Sequence, residues 1–285
     1  MLAGLLPFCF ALLWASSYAG AKIALLDMSP FALVALRLSI AAAAAALLIL
    51  ALRRRLPARP MWPHLLIGGA LLHGLGLALA HAALVQVDAT PTALVHAFHP
   101  ILTAALGTLL LGERFAWWQW AGVALGFIGV VLGVPLALGG ANLGYLAVSL
   151  FGLTAGTLYL RRFCAKVPPF EATAVQLIGG ALISIALMAL FETPHLRVTS
   201  GLIGAMAWNT LVMSIFGMAL YSLMLDRYGA SRASAGFFVV PGASALIAYV
   251  LLDEHFVALT LIGLAAATLG VALVWWRPAK PTSAH

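Results

Sequence analysis

Charge is scarce in this chain. Of its 285 residues only 8% are Asp, Glu, Lys or Arg, and only eight of those are acidic. A soluble globule of this length needs far more polar surface than that, which excludes water as the main solvent. Cysteine is nearly absent. Cys9 and Cys164 form no CxxC pair and have no histidine at metal-ligand spacing, so a disulfide framework and a metal site are both excluded and the two thiols are read as packing. Nor is there a low-complexity tail, a long polar linker or a soluble domain. No nucleophile sits beside a base and no phosphate loop or cofactor motif occurs, which argues against an enzyme and gives no reason to expect a cofactor.

Apolar sequence is what the chain has in abundance. Hydrophobic residues make up 64% and the mean hydropathy is +1.08. The apolar runs are each about 20 residues long, the length of a helical membrane span. Runs such as 38–52 and 122–134 are apolar all round rather than alternating, which favours helices over a membrane barrel. Caps, prolines and charges place ten spans near 2–24, 30–52, 64–86, 90–111, 116–134, 143–161, 170–191, 201–224, 231–252 and 256–276. Ala19-Gly20-Ala21 has the look of a signal-peptidase site. No Lys or Arg precedes it, however, and the repeat described below uses the segment as a first helix.

The net charge of +7 does not point to nucleic acid, because the basic residues sit singly or in threes at the ends of apolar runs. With a cytoplasmic N-terminus, twelve of them lie inside: Arg53, Arg54, Arg55, Arg59, Arg114, Arg161, Arg162, Lys166, Arg227, Arg232, Arg277 and Lys280. Only Lys22 and Arg197 lie outside, and Arg37 falls within the second span. That bias predicts that both termini face the cytoplasm.

The sequence also repeats itself. At an offset of 141 residues Tyr18 meets Tyr159, Pro100 meets Pro241, Glu113 meets Glu254, Phe115 meets Phe256, Gly122 meets Gly263 and Gly129 meets Gly270, all without a gap. Ungapped matches of this length signal duplication. The expected units are residues 1–140 and 141–285, five helices each. Because five is odd, the second copy enters the bilayer from the opposite side. The fold class is therefore an all-α integral membrane protein of ten transmembrane helices in two inverted five-helix repeats, an arrangement that recurs in secondary transporters.

A family resemblance rests on Trp14 with Ala15 and Ser16, on Lys22, Pro30, Arg37 and Pro100, and on 111–114 (Leu-Gly-Glu-Arg) with Gly122 and Gly129. In the second half it rests on Ala230, Ser234, Pro241, 252–254 (Leu-Asp-Glu), Gly263 and Gly270. Over essentially its whole length the chain resembles the EamA-type ten-helix carriers of the drug/metabolite transporter superfamily, which include bacterial amino-acid and metabolite exporters. The resemblance implies a bacterial inner-membrane protein that exports small metabolites such as amino acids. Asp253 stands where that family usually has Gly, and Lys22 and Arg37 have no counterparts at 163 and 178.

Candidate site residues follow from depth. Every acidic residue falls near a helix end, so a small-multidrug mechanism built on a mid-bilayer carboxylate loses support. Histidine occupies the midplane instead: His73 and His81 on the third span, His96 and His99 on one face of the fourth. An imidazole can bind a substrate carboxylate or take a coupling proton, or it can simply bond a neighbouring helix. Trp14, Ser17, Tyr18, Tyr159, Trp208 and Asn209 add aromatic faces and hydrogen-bonding groups, with plain packing as the bland alternative. Pro100 and Pro241 are expected to interrupt the fourth and ninth helices at equivalent points. Arg37, about 10 Å down its helix, either clamps an anion or pairs with Asp27, Asp88 or helix-end carbonyls. Lys22 can snorkel to water, and Glu113 and Glu254 are expected to lock loops or gate through pairing. The expected partners are a small-molecule solute and the bilayer, with a proton as a coupling partner. A receptor or scaffold is the rival class, and oligomeric state is not legible.

Overall fold

The computed structural model describes residues 5–111, 115–134, 140–217, 220, 240–255 and 257–276. Ten helical spans occur among them. They are α1 (Leu5–Leu25), α2 (Pro30–Ala51), α3 (Trp62–Gly69 continued through Ala70–Leu75 and Gly76–Leu84), α4 (Ala89–Leu111) and α5 (Trp117–Gly133). The second five are α6 (Gly140–Phe163), α7 (Pro169–Phe191), α8 (Ser200–Ala207 continued through Trp208–Gly217), α9 (Val240–Leu252) and α10 (Ala258–Trp275). Five stretches are long and apolar enough to cross a membrane by length and composition: Pro30–Ala51, Arg59–Leu84, Ala89–Leu110, Gly140–Phe163 and Pro169–Phe191.

Local chemistry sets the helix ends. Pro30 and Pro169 stand at the first helical positions of α2 and α7, where a missing N–H costs nothing. Thr199 caps α8 by accepting from the Leu202 N–H at 3.1 Å. α2 closes on Arg53 in the left-handed region (φ 53°), with Arg53 N and Arg54 N donating back to Leu50 O and Ile49 O. α9 ends the same way: Asp253 has φ 55° and Glu254 N donates to Ala248 O. Glycine enters the left-handed region without steric cost, and Asp is among the few other residues that tolerate it.

The two halves pack by exchange. α5 and α10 meet along a seam of glycines: a Cβ added at Gly122 would lie 2.7 Å from Gly270 O, and one at Gly129 2.7 Å from Gly263 O. Gly263 and Gly270 are the repeat-mates of Gly122 and Gly129. Each residue therefore touches the mate of the other, the contact pattern that a twofold axis between two antiparallel copies generates. The other pairings obey the same axis. α2 packs on its mate α7, α3 on α6 as α1 on α8, and α4 on α6 as α9 on α1.

At Pro100 the backbone stays helical, and residues 221–239, ahead of Pro241, lie outside the described ones. α4 runs as one helix through Pro100, and Pro241 sits in the first turn of the described part of α9. Proline removes one backbone hydrogen bond, here the one to the His96 carbonyl four residues back, without breaking the helix around it. The π-helical turns lie instead in α3 (Ala70–Leu75) and α8 (Trp208–Gly217). At the 141-residue offset the first becomes 211–216, inside the second, so each half deforms its third helix at the same place.

Candidate functional site

The bundle has two ends. The face bearing the α1–α2, α3–α4, α7–α8 and α9–α10 connections is called distal here, and the face bearing the α2–α3 and α6–α7 connections proximal. On the distal face, polar pins join the halves. Glu254 accepts from Ala89 N at 2.7 Å, Thr90 N at 3.3 Å and Thr90 Oγ1 at 3.0 Å, capping α4 from the other half. Glu192 caps α2 likewise, accepting from Phe31 N at 3.0 Å and Ala32 N at 2.8 Å. Carboxylates are favoured at helix N-termini because they satisfy orphan N–H groups and meet the positive end of the dipole.

Asp27 is buried in the α1–α2 turn, where Arg197 donates to it through Nε at 2.7 Å and Thr199 donates through its hydroxyl. The Thr199 hydroxyl first, and then Arg197, hold this carboxyl below the usual carboxylate range. Lys22 donates to Val87 O at 2.9 Å and lies 3.6 Å from Asp88, itself largely exposed. On the proximal face Arg54 pairs with Glu171 at 2.9 Å.

About 10 Å below the distal helix ends, at 1.5 Å per residue, lies a polar layer in an otherwise apolar bundle. Tyr18, Arg37 and His96 are each seven residues from their distal helix ends; Ser149 and Asn209 are each nine. Within it runs a chain across the halves. Ser149 Oγ donates to Gly76 O at 2.5 Å, so it can only accept from His96 Nε2 at 2.9 Å, which leaves His96 Nδ1 to accept from the Tyr18 hydroxyl at 3.1 Å. Both ring nitrogens of His96 are thus satisfied and its tautomer is fixed.

The other expected site residues have partners of several kinds. Ser17 Oγ bonds back to Trp14 O at 2.7 Å, and Trp14 is half-buried with its ring 5.7 Å from Phe10. Trp208 Nε1 donates to Ser16 Oγ at 2.9 Å, and Asn209, with its amide turned to suit, bonds Ser17 O and Ala21 N. Ser17, Trp208 and Asn209 thereby join α8 to α1. His99 is ringed by the hydroxyls of Thr103, Thr154 and Thr157 at 3.2–3.4 Å. Tyr159 lies near the proximal face, where its hydroxyl bonds His64 Nδ1 at 2.9 Å. It also lines a cleft of about 500 Å³ between α4 and α6, together with Leu102, Leu106, Leu150, Thr154 and Arg162. Glu113 lies outside the described residues.

Arg37 is 8% exposed and makes no ion pair or hydrogen bond with any described residue; its Nε is buried without a partner. The carboxylates suggested for it from sequence, Asp27 and Asp88, are engaged by Arg197 and Lys22. His73, in the π-helical turn of α3, has a buried Nε2 likewise without a described partner. Ser149 and Thr154 were not among the residues expected from sequence. Their only signal was a small hydroxyl inside an apolar span at the depth of a histidine on another helix.

A helical membrane bundle of two inverted halves, joined by polar contacts near both faces and polar across its middle, has the architecture of the class of membrane carriers. The EamA-like transporter family matches this chain at residues 1–134 and 140–276, and the chain belongs to that family. It is 26% identical over 268 residues to an uncharacterized transporter of Archaeoglobus fulgidus, covering 92% of this chain and 94% of that one. It is 24% identical to a probable amino-acid metabolite efflux pump of Escherichia coli, covering 97% of each, and 24% identical to a probable terminal-alkyne amino-acid exporter of Streptantibioticus cattleyicolor, covering 92% and 89%. A solved crystal structure superposes with a TM-score of 0.68 over 96% of this chain and 98% of that one at 24% identity, a likeness of fold.

Proposed function

We propose that this membrane transporter moves small metabolites of the amino-acid type by alternating access, through a cavity between residues 1–140 and residues 141–285, in the direction of export. The observation that carries the reading is the exchanged packing about the α5/α10 axis. Two halves of one shape in opposite orientation can trade conformations, and the trade turns an opening on one face into an opening on the other. The distal pins fit a state closed on that face. At the repeat offset Glu254 and Thr90 correspond to Glu113 and Ser231, so the same kind of cap supplied by Glu113 is the natural closure of the proximal face in the alternate state. The basic-residue bias puts the distal face outside, in a bacterial inner membrane with both termini in the cytoplasm.

The names of relatives supply the solute class and the direction, and inward-facing membrane vesicles supply the test. Purified protein in proteoliposomes should carry labelled amino acids down a gradient, and inverted vesicles from expressing cells should accumulate them above empty-vector controls. Absence of flux for amino acids, nucleobases and organic cations alike, in protein that is folded, would overturn the carrier reading. Tags after residue 139 and after residue 285 should report from opposite faces.

A further inference from the structure

We infer that Arg37 and His73 form an anion site for the carboxylate of the transported solute, an inference that rests on the carrier reading above and gives it a substrate chemistry. Arg37 lies on the face of α2 that packs into the bundle, beside Val34, Leu38 and Ala41, while Leu36, Ser39 and Ile40 face outward. His73 comes to the same place from α3. A Cβ added at Gly180 of α7 would meet His73 Cβ at 2.6 Å and Cδ1 of Leu38, the residue after Arg37, at 2.9 Å, so α2, α3 and α7 meet beside these residues. The Gln176 side chain of α7 sits beside the His73 ring, and the Arg37 charge reaches both His73 and His81 of α3.

A guanidinium this deep without a counter-ion costs several kcal/mol, and such groups persist where a partner repays the cost. The described carboxylates are all committed elsewhere: Asp27 to Arg197, Asp88 to Lys22, Glu171 to Arg54, Glu192 to α2, Glu254 to α4, and Asp253 exposed beside His255. Among the described residues no carboxylate is left for Arg37, and the anion of the transported solute is the partner inferred for it. A carboxylate matches the pair of donors, with two oxygens for the planar guanidinium fork and a lone pair left for an imidazole N–H. The π-helical turn carrying His73 is the kind of local distortion that collects at functional sites, because it turns a side chain out of the regular helical register. His96 is the internal control: a histidine inside the bundle with both nitrogens already bonded, and so with nothing to offer a solute.

The test compares L-phenylalanine with its methyl ester and with phenethylamine, which keep the ring and lose the acid. In proteoliposomes and in thermal unfolding in detergent, the wild-type protein should carry and be stabilised by the acid at least tenfold more effectively than by the other two. R37Q should abolish that preference, R37K should retain part of it, and H73A should weaken it with R37 intact. If R37Q fails to fold, R37K and H73A carry the comparison, each checked for an unfolding transition. Equal handling of acid, ester and amine by the wild type, or a preference unchanged in R37Q or in both R37K and H73A, overturns the carboxylate site while leaving the carrier reading standing. No flux of any of the three, nor of amino acids at large, overturns the carrier reading itself.

Discussion

The α5/α10 seam and the polar layer under the distal face join the same two halves by opposite means. Along the seam backbone comes up against backbone, with glycines at 122, 129, 263 and 270 admitting the approach. In the layer, side chains from α1, α4 and α6 and a carbonyl of α3 are strung on hydrogen bonds. Close packing of backbones is short-ranged and has one arrangement, whereas hydrogen bonds can be remade with another partner. The seam is thus suited to be an axis, and the layer and pins to be the parts that let go.

Breaking the seam should have the largest effect. Gly129→Leu has no room, since even a Cβ there meets Ala267 N at 2.5 Å. The loss should exceed the ~1–3 kcal/mol of ordinary overpacking and appear as loss of folded protein in membranes and in detergent size-exclusion profiles. If G129L folds and melts like wild type, the contrast fails. Next comes Glu254→Ala, which strands two backbone N–H groups and the Thr90 hydroxyl; about 1–3 kcal/mol of stability should go, with the protein still assembled. Ser149→Ala removes one link of the Tyr18–His96–Ser149–Gly76 chain and should cost about 1 kcal/mol by thermal unfolding.

The Asp27 pin has a pH signature. Its carboxyl titrates lower in the folded protein than in the unfolded chain, so its stabilisation is complete above the unfolded pKa near 3.9 and is lost as pH falls through the folded value. Melting temperatures of wild type and Asp27→Asn should differ at pH 6, begin to converge as pH falls past about 4, and meet only below the folded value. The smallest effect belongs to Asp88→Asn, below about 1 kcal/mol, because Asp88 is exposed and Lys22 keeps its bond to Val87 O.

Span number and the inverted repeat were legible because both are periodic: apolar runs of about 20 residues, and matches recurring at one offset. The pins were half-legible. Glu254 stood out as a carboxylate at a helix end with a mate at Glu113, but its target, the start of α4 in the other half, depends on tertiary packing. Local sequence misled at Pro100, since proline flags the lost hydrogen bond and not whether neighbouring turns hold the helix together. The π-helical turns in α3 and α8 carry no proline at all; they lie where α3 packs on α6 and α7, and α8 on α1 and α2. The histidines looked alike in sequence and separated only when partners were assigned, since hydrogen-bond saturation is a property of neighbours distant in the chain.

Asp253 touches no candidate site, yet it governs one. By bending the chain into the left-handed region directly after α9, it turns the next residue back over the bundle, which is how Glu254 reaches the head of a helix in the opposite half. The Glu254 pin between the halves thus hangs on a single backbone torsion. A β-branched side chain at 253 would loosen the grip without altering any atom that takes part in it.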